Sequence, residues 1–89
     1  MKTRNGFILR SLGKEYILMP EGLEAEGFNA MISMNESAAF LWKAVDGKEF
    51  DADTLINLLT KEYGISYELA EHDVTVMLQG WKTMNLIEN

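Results

Sequence analysis

The chain has no cysteine, one histidine, one proline and only eight basic residues among 89. Each shortage excludes something. Without cysteine there is no disulfide, no thiolate nucleophile and no zinc–cysteine site, which agrees with a cytoplasmic protein. His72 is the sole imidazole and stands beside Asp73. Adjacent helix positions do not face each other, and no Ser or Cys nucleophile stands at helix-face spacing. His72 therefore reads as a solvated surface residue, and one histidine is too little for a metal centre. Gly22 and Gly27 make no phosphate loop, because no Lys-Ser or Lys-Thr follows them. These gaps argue against an enzyme, and no cofactor or metal is expected.

Two longer-range features are also missing. No apolar run approaches the length of a membrane span. The opening Met-Lys-Thr-Arg-Asn is too charged for the apolar part of a signal peptide. Fourteen acidic residues against eight basic ones give a net charge of −6. Nucleic-acid affinity rests on a basic face, and here only Lys2, Arg4, Arg10 and Lys14 offer one locally. What is present is a 47% hydrophobic composition, enough for one folded domain over residues 1–89 and too much for a disordered chain.

The apolar residues fall into two patterns. Residues 7–12 and 15–19 are short apolar runs around Gly13-Lys14, which predicts a β-hairpin closed by Pro20. Residues 21–29 hold two Gly and three Glu and read as a loop. Residues 30–34 are a third apolar run, too short for a helix and read as a strand. From Asn35 the period changes. Asn35 is a good N-cap, Glu36 suits the helix dipole, and Ala38, Leu41, Trp42 and Val45 follow at helical spacing. Phe40 and Ala44 add a second apolar face, so this helix should be buried on more than one side, ending at Gly47. A second helix starts near Asp51 or Asp53, carries Leu55, Leu58 and Leu59, and stops at Gly64. A third is capped by Ser66, with a stripe of Ala70, Val74, Met77, Trp81 and Met84 and with Leu78 at its edge. Asn85 can take the left-handed position after it, and Leu86-Ile87 packs back or adds a short strand. The order β-β-β-α-α-α predicts an α+β, winged-helix-like domain: a three-stranded antiparallel N-terminal sheet, then three helices.

Two binding readings follow from this layout. A winged-helix DNA-binding regulator would read with the third helix. Three of its four solvent-facing charges, Glu68, Glu71, Asp73 and Lys82, are acidic and would be repelled by phosphate. Peptide binding fits better. One flank of that helix stays apolar through Leu69, Val76 and Gly80, with Asp73 beside them. A helical Gly costs about 1 kcal/mol relative to Ala, so close approach of another backbone is a reason to keep one. The run 30–34 has no Lys, Pro or charge to blunt a sheet edge, and an open edge templates an added strand. A third reading is a homodimer joined through the same edge.

The string Met34-Asn35-Glu36-Ser37-Ala38-Ala39-Phe40-Leu41-Trp42 resembles the PqqD family. So do Leu55 with Tyr63-Gly64, Asp73-Val74 with Met77-Leu78, and the ending Asn85-Leu86-Ile87. The likeness runs from Gly6 to Ile87, and its most specific part is Asn35 to Trp42. It implies three strands and three helices, and a RiPP recognition element: a peptide chaperone that holds the leader of a ribosomally made precursor peptide. Its partner would be a peptide-modifying enzyme, often a radical SAM protein with auxiliary iron–sulfur clusters. The family name points to pyrroloquinoline quinone biosynthesis, but many relatives serve other pathways. Carried over by position, the resemblance puts the peptide between Met31, Ile32, Ser33 and Met34 on one side and Asp73, Val76, Met77 and Gly80 on the other. Flexible methionine side chains suit such a surface. The chain departs from the family pattern at Met34 and Trp81, where Leu is common, and at Asn85, where Gly is common.

Overall fold

The computed structural model describes residues 1–20 and 32–88. The expected loop at 21–29 and the first two residues of the expected third strand, Met31 among them, lie outside these residues. The elements are β1 (Lys2–Thr3), β2 (Phe7–Leu12), β3 (Glu15–Pro20), β4 (Ile32–Met34), α1 (Glu36–Val45), α2 (Ala52–Tyr63), α3 (Tyr67–Thr83) and β5 (Ile87–Glu88). The three strands β2, β3 and β4 pair antiparallel in that order, as the apolar runs predicted.

The hairpin turn fixes which backbone groups of β4 are free. Leu12 pairs with Glu15 across Gly13-Lys14. Gly13 has φ 66° while Lys14 stays at negative φ, the signature of a type II′ turn. The closing pair of such a turn is hydrogen-bonded, and bonded and non-bonded pairs then alternate along the ladder. Arg10–Ile17 is therefore bonded and Leu9–Leu18 is not. Pro20, which has no N–H, falls opposite Phe7 at a non-bonded position. It follows that Tyr16 and Leu18 point their backbone groups at β4. They pair there with Met34 and Ile32, while Ser33 stands opposite Ile17 at a non-bonded position. The N–H and C=O of Ser33 thus point away from β3, to the open side of β4.

Side chains alternate the other way. Leu18 and Met34 are buried, Leu9, Tyr16 and Ile32 pack partly against the core, and Ser33 is exposed. The helices cover this face. Asn35 caps α1 by accepting the Ala38 N–H at 2.8 Å, with an extended ψ of 174°. A strand can feed a helix this abruptly because the cap residue itself stays extended. Asp51 accepts from Thr54 at 2.8 Å and caps α2; these bonds hold its carboxyl below the usual range. Ser66 caps α3, and Gly64 closes α2 in the left-handed conformation. Phe40 and Ala44 are partly buried, so α1 is covered on more than one side as expected.

One expectation needs correction, and one element was not foreseen. The buried stripe of α3 is Ala70, Val74, Leu78 and Trp81; Met77 is half-buried and Met84 exposed. Leu78 lies a full 100° step from Met77, and the stripe 70–74–78–81 follows i+4, i+4, i+3. The element not foreseen is a strand at the chain's start. Lys2 and Thr3 pair with Glu88 and Ile87, so the residues after Asn85 do form a strand. Thr3 is buried; its hydroxyl donates to Asp46 Oδ1 at 2.9 Å and accepts from the Gly47 N–H at 3.0 Å. This small second sheet ties the chain's start to the end of α1. Asn85 takes φ 62°, which a short polar side chain tolerates. Trp81 meets Trp42 edge to face, centroids 5.2 Å apart, so the bulk that replaces the family's Leu is absorbed by the core.

Candidate functional site

Between β4 and α3 runs a groove of about 490 Å³. Ile32, Ser33 and Met34 line one wall, and Asp73, Val76, Met77 and Gly80 line the other. These are the residues expected from the sequence, with the exception of Met31, which lies outside the described residues. The floor is core: Leu41, Leu59, Val74 and Trp81 reach it from α1, α2 and α3. Val76, at 55% exposure, and Met84, at 41%, stand on the rim. Among the described residues no other strand covers β4 on this side. The outward N–H and C=O of Ser33 therefore border an apolar hollow.

Gly80 is informative because nothing among the described residues requires it. A Cβ built there would meet only the Met84 terminal methyl, at an ordinary 3.9 Å. Its φ is not positive, so no backbone strain calls for glycine either. A helix-interior Gly costs about 1 kcal/mol against Ala. Here the missing side chain leaves the groove open, and the structure gives no other use for it.

At the α1 end the groove meets a second hollow of about 350 Å³, lined by Tyr63, Ile65 and Leu69 over Leu59. Asn35, Ser37, Leu59 and Asp73 line both hollows. Asn35 holds this junction, since its Oδ1 also accepts from the Ser37 hydroxyl at 3.0 Å. Tyr63 packs edge-on against Phe40, 6.0 Å between centroids. Its hydroxyl is pushed above the ordinary tyrosine range, by partial burial first and then by the carboxylates of Glu36 and Glu62. Among the described residues, the titratable side chains with carboxylate or imidazole groups on the two hollows are Glu36, His72 and Asp73, and no Lys or Arg lines either.

The sequence pointed to the two walls and missed most of the rest. Leu69 was visible as part of the apolar flank of α3. His72, read as a surface residue, is exposed and on the groove wall. Tyr63 stood out in the sequence only as part of the end of the second helix, and neither it nor Ile65 was signalled as lining a site, because they reach it only through the way α2 ends beside the start of α1. Among the described residues no group of acidic, His or Cys side chains is arranged to hold a metal. No helix among them is long and apolar enough to cross a membrane.

The comparisons with known proteins bear on this architecture. The chain is similar in fold to TbiB1 in complex with the TbiA(beta) leader peptide, with a TM-score of 0.75 at 16% identity, covering 100% of this chain and 96% of that one. It is likewise similar to lasso peptide synthetase B1 complexed with the leader peptide, with a TM-score of 0.71 at 18% identity, over 99% and 96% of the two chains. At such identities the likeness speaks to the fold. No curated protein sequence matches the chain. The family description of coenzyme PQQ synthesis protein D (PqqD) matches residues 15–87, from the start of β3 into β5. With β3, β4, the three helices and the Asn35-capped turn inside that match, the chain belongs to the PqqD family.

Proposed function

We propose that this protein is a RiPP recognition element. It binds the leader segment of a ribosomally made precursor peptide and presents it to a modifying enzyme, without catalysing a step itself. The observation that carries this reading is the edge of β4, uncovered by any strand among the described residues and facing an apolar groove, with Ser33 turned outward and Gly80 opposite. The two similar structures support it, since both are complexes with a leader peptide.

The peptide adds as a fourth strand against β4, and alternate side chains point into the groove. Magnitudes say which part supplies affinity. The outward groups of Ser33 offer two backbone hydrogen bonds, each worth about 0.5–1.5 kcal/mol net. Ordering each peptide residue costs about 1–2 kcal/mol. Strand addition alone therefore does not hold the peptide. Burying two or three aliphatic side chains, at about 1.5–3 kcal/mol each, does. The edge sets register and the groove sets strength. We assign the peptide contacts to Met31, Ile32, Ser33, Met34, Asp73, Val76, Met77 and Gly80. The partner enzyme is a peptide-modifying one, of the radical SAM or another class, in the cytoplasm.

The test is a calorimetric titration with peptides synthesised from the short reading frames encoded beside this chain. One of them should bind the wild type and lose its affinity to Ser33→Pro. Proline removes the outward N–H and leaves the bonds to β3 in place, as edge strands tolerate. Equal binding by both proteins would overturn the assignment.

A further inference from the structure

We infer that the bound peptide extends past Asn35 into the second hollow, and that it carries a lysine or arginine at the junction, beside Asp73. This rests on the peptide-binding reading above and adds the chemistry of the peptide to it. The first support is continuity. The two hollows share Asn35, Ser37, Leu59 and Asp73, so a chain lying along β4 leads directly to the apolar walls of Tyr63, Ile65 and Leu69.

The second support is charge. Asp73 lines both hollows and Glu36 lines the second. The only ion pairs among the described residues are Met1–Glu49 and Arg4–Glu88, so neither Asp73 nor Glu36 is paired. The neighbours of Asp73 one helical turn away are Leu69, Ala70, Val76 and Met77, none of which can pair with it. On α1, Glu36 has Ala39 and Phe40 at those spacings. The next cation along α1, Lys43, lies over the Tyr16 ring at 5.2 Å. Asp73 thus presents a carboxylate without an ion-pair partner at the junction, Glu36 adds a second on the wall of the neighbouring hollow, and the charge of Glu36 reaches Tyr63.

A lysine or arginine fits both features. Its aliphatic stem lies on Leu69 or Val76 while its head reaches Asp73. An apolar side chain beside it fills the second hollow. An acidic residue at that place would meet the like charge of Asp73, with Glu36 beyond it in the second hollow, so the junction selects by repulsion as well as attraction.

The experiment is selection of short random peptides displayed on phage, panned against the wild type, Ser33→Pro and Asp73→Lys. Asp73 is exposed, so its replacement spares the fold, which a thermal melt checks. Wild-type selections should enrich Lys or Arg at a fixed spacing from an apolar residue. Asp73→Lys should enrich Asp or Glu at that place instead. For a synthetic peptide from the best clone, Asp73→Lys should weaken binding about tenfold at low salt and less at high salt. Leu69→Ser should weaken it about tenfold regardless of salt. Neutral or acidic residues at the junction in wild-type selections, or the same profile from Asp73→Lys, would overturn this inference and leave the groove reading intact. Equal enrichment by Ser33→Pro would overturn the groove reading, and the inference with it.

Discussion

The two faces of α3 are both apolar, and only one is closed. Inward, Ala70, Val74, Leu78 and Trp81 are each no more than 6% exposed. Outward, Leu69 is 49% and Val76 55% exposed, and Gly80 has no side chain at all. The two stripes run along the same helix about a third of a turn apart. Apolar content does not distinguish them. Coverage does: α1 and α2 lie over the inner stripe, while β4 stops short of the outer one and leaves the groove between. The same side chains that build a core on one face are left to a partner on the other.

That comparison can be broken by substitution. The largest effect is expected from Leu78→Ala, which removes a buried side chain and should lower stability by about 2–5 kcal/mol. Val76→Ala, two residues away but on the open face, should change stability by less than about 0.5 kcal/mol while weakening peptide binding. Chemical denaturation of both variants checks this, and comparable losses would mean that the outer stripe is core after all. Gly80→Leu should weaken peptide binding more than about tenfold by filling the groove, with the fold retained. A titration at matched folded concentration reads it, and unchanged affinity would remove Gly80 from the site. Asn35→Ala should cost about 1 kcal/mol through the lost cap and disturb the junction between the hollows. No shift in denaturation midpoint would show that the cap does not hold the strand-to-helix turn. The smallest effect is the most telling in sign. Gly80→Ala should raise stability by about 0.5–1 kcal/mol without improving binding, because the glycine serves the groove at the expense of the helix. A loss of stability would contradict that account.

Much of this was legible in the sequence, for reasons that can be named. The caps Asn35, Asp51 and Ser66 act within one turn, so residue type and spacing suffice to find them. The hairpin at Gly13-Lys14 is equally local. The outer flank of α3 could be seen because Leu69, Val76 and Gly80 fall together on a helical wheel. The inner stripe was placed one residue off, at Met77 in place of Leu78, because both readings satisfy the helical period and only the positions of α1 and α2 decide. The pairing of Lys2–Thr3 with Ile87–Glu88 joins the two ends of the chain, and such short charged segments carry no pattern of their own. The second hollow depends on interhelical angle, which no periodicity encodes. The outward orientation of Ser33 followed only once the turn type and register were known.

The central claim is that a peptide pairs with the free edge of β4. Its most direct test is amide hydrogen exchange followed by NMR, with and without a peptide selected on the wild-type protein. The Ser33 N–H should exchange freely in the unbound protein and become strongly protected in the complex, while the Leu18 N–H, already bonded within the sheet, changes little. A complex in which the Ser33 N–H still exchanges freely, and protection rises on β2 instead, would contradict the account.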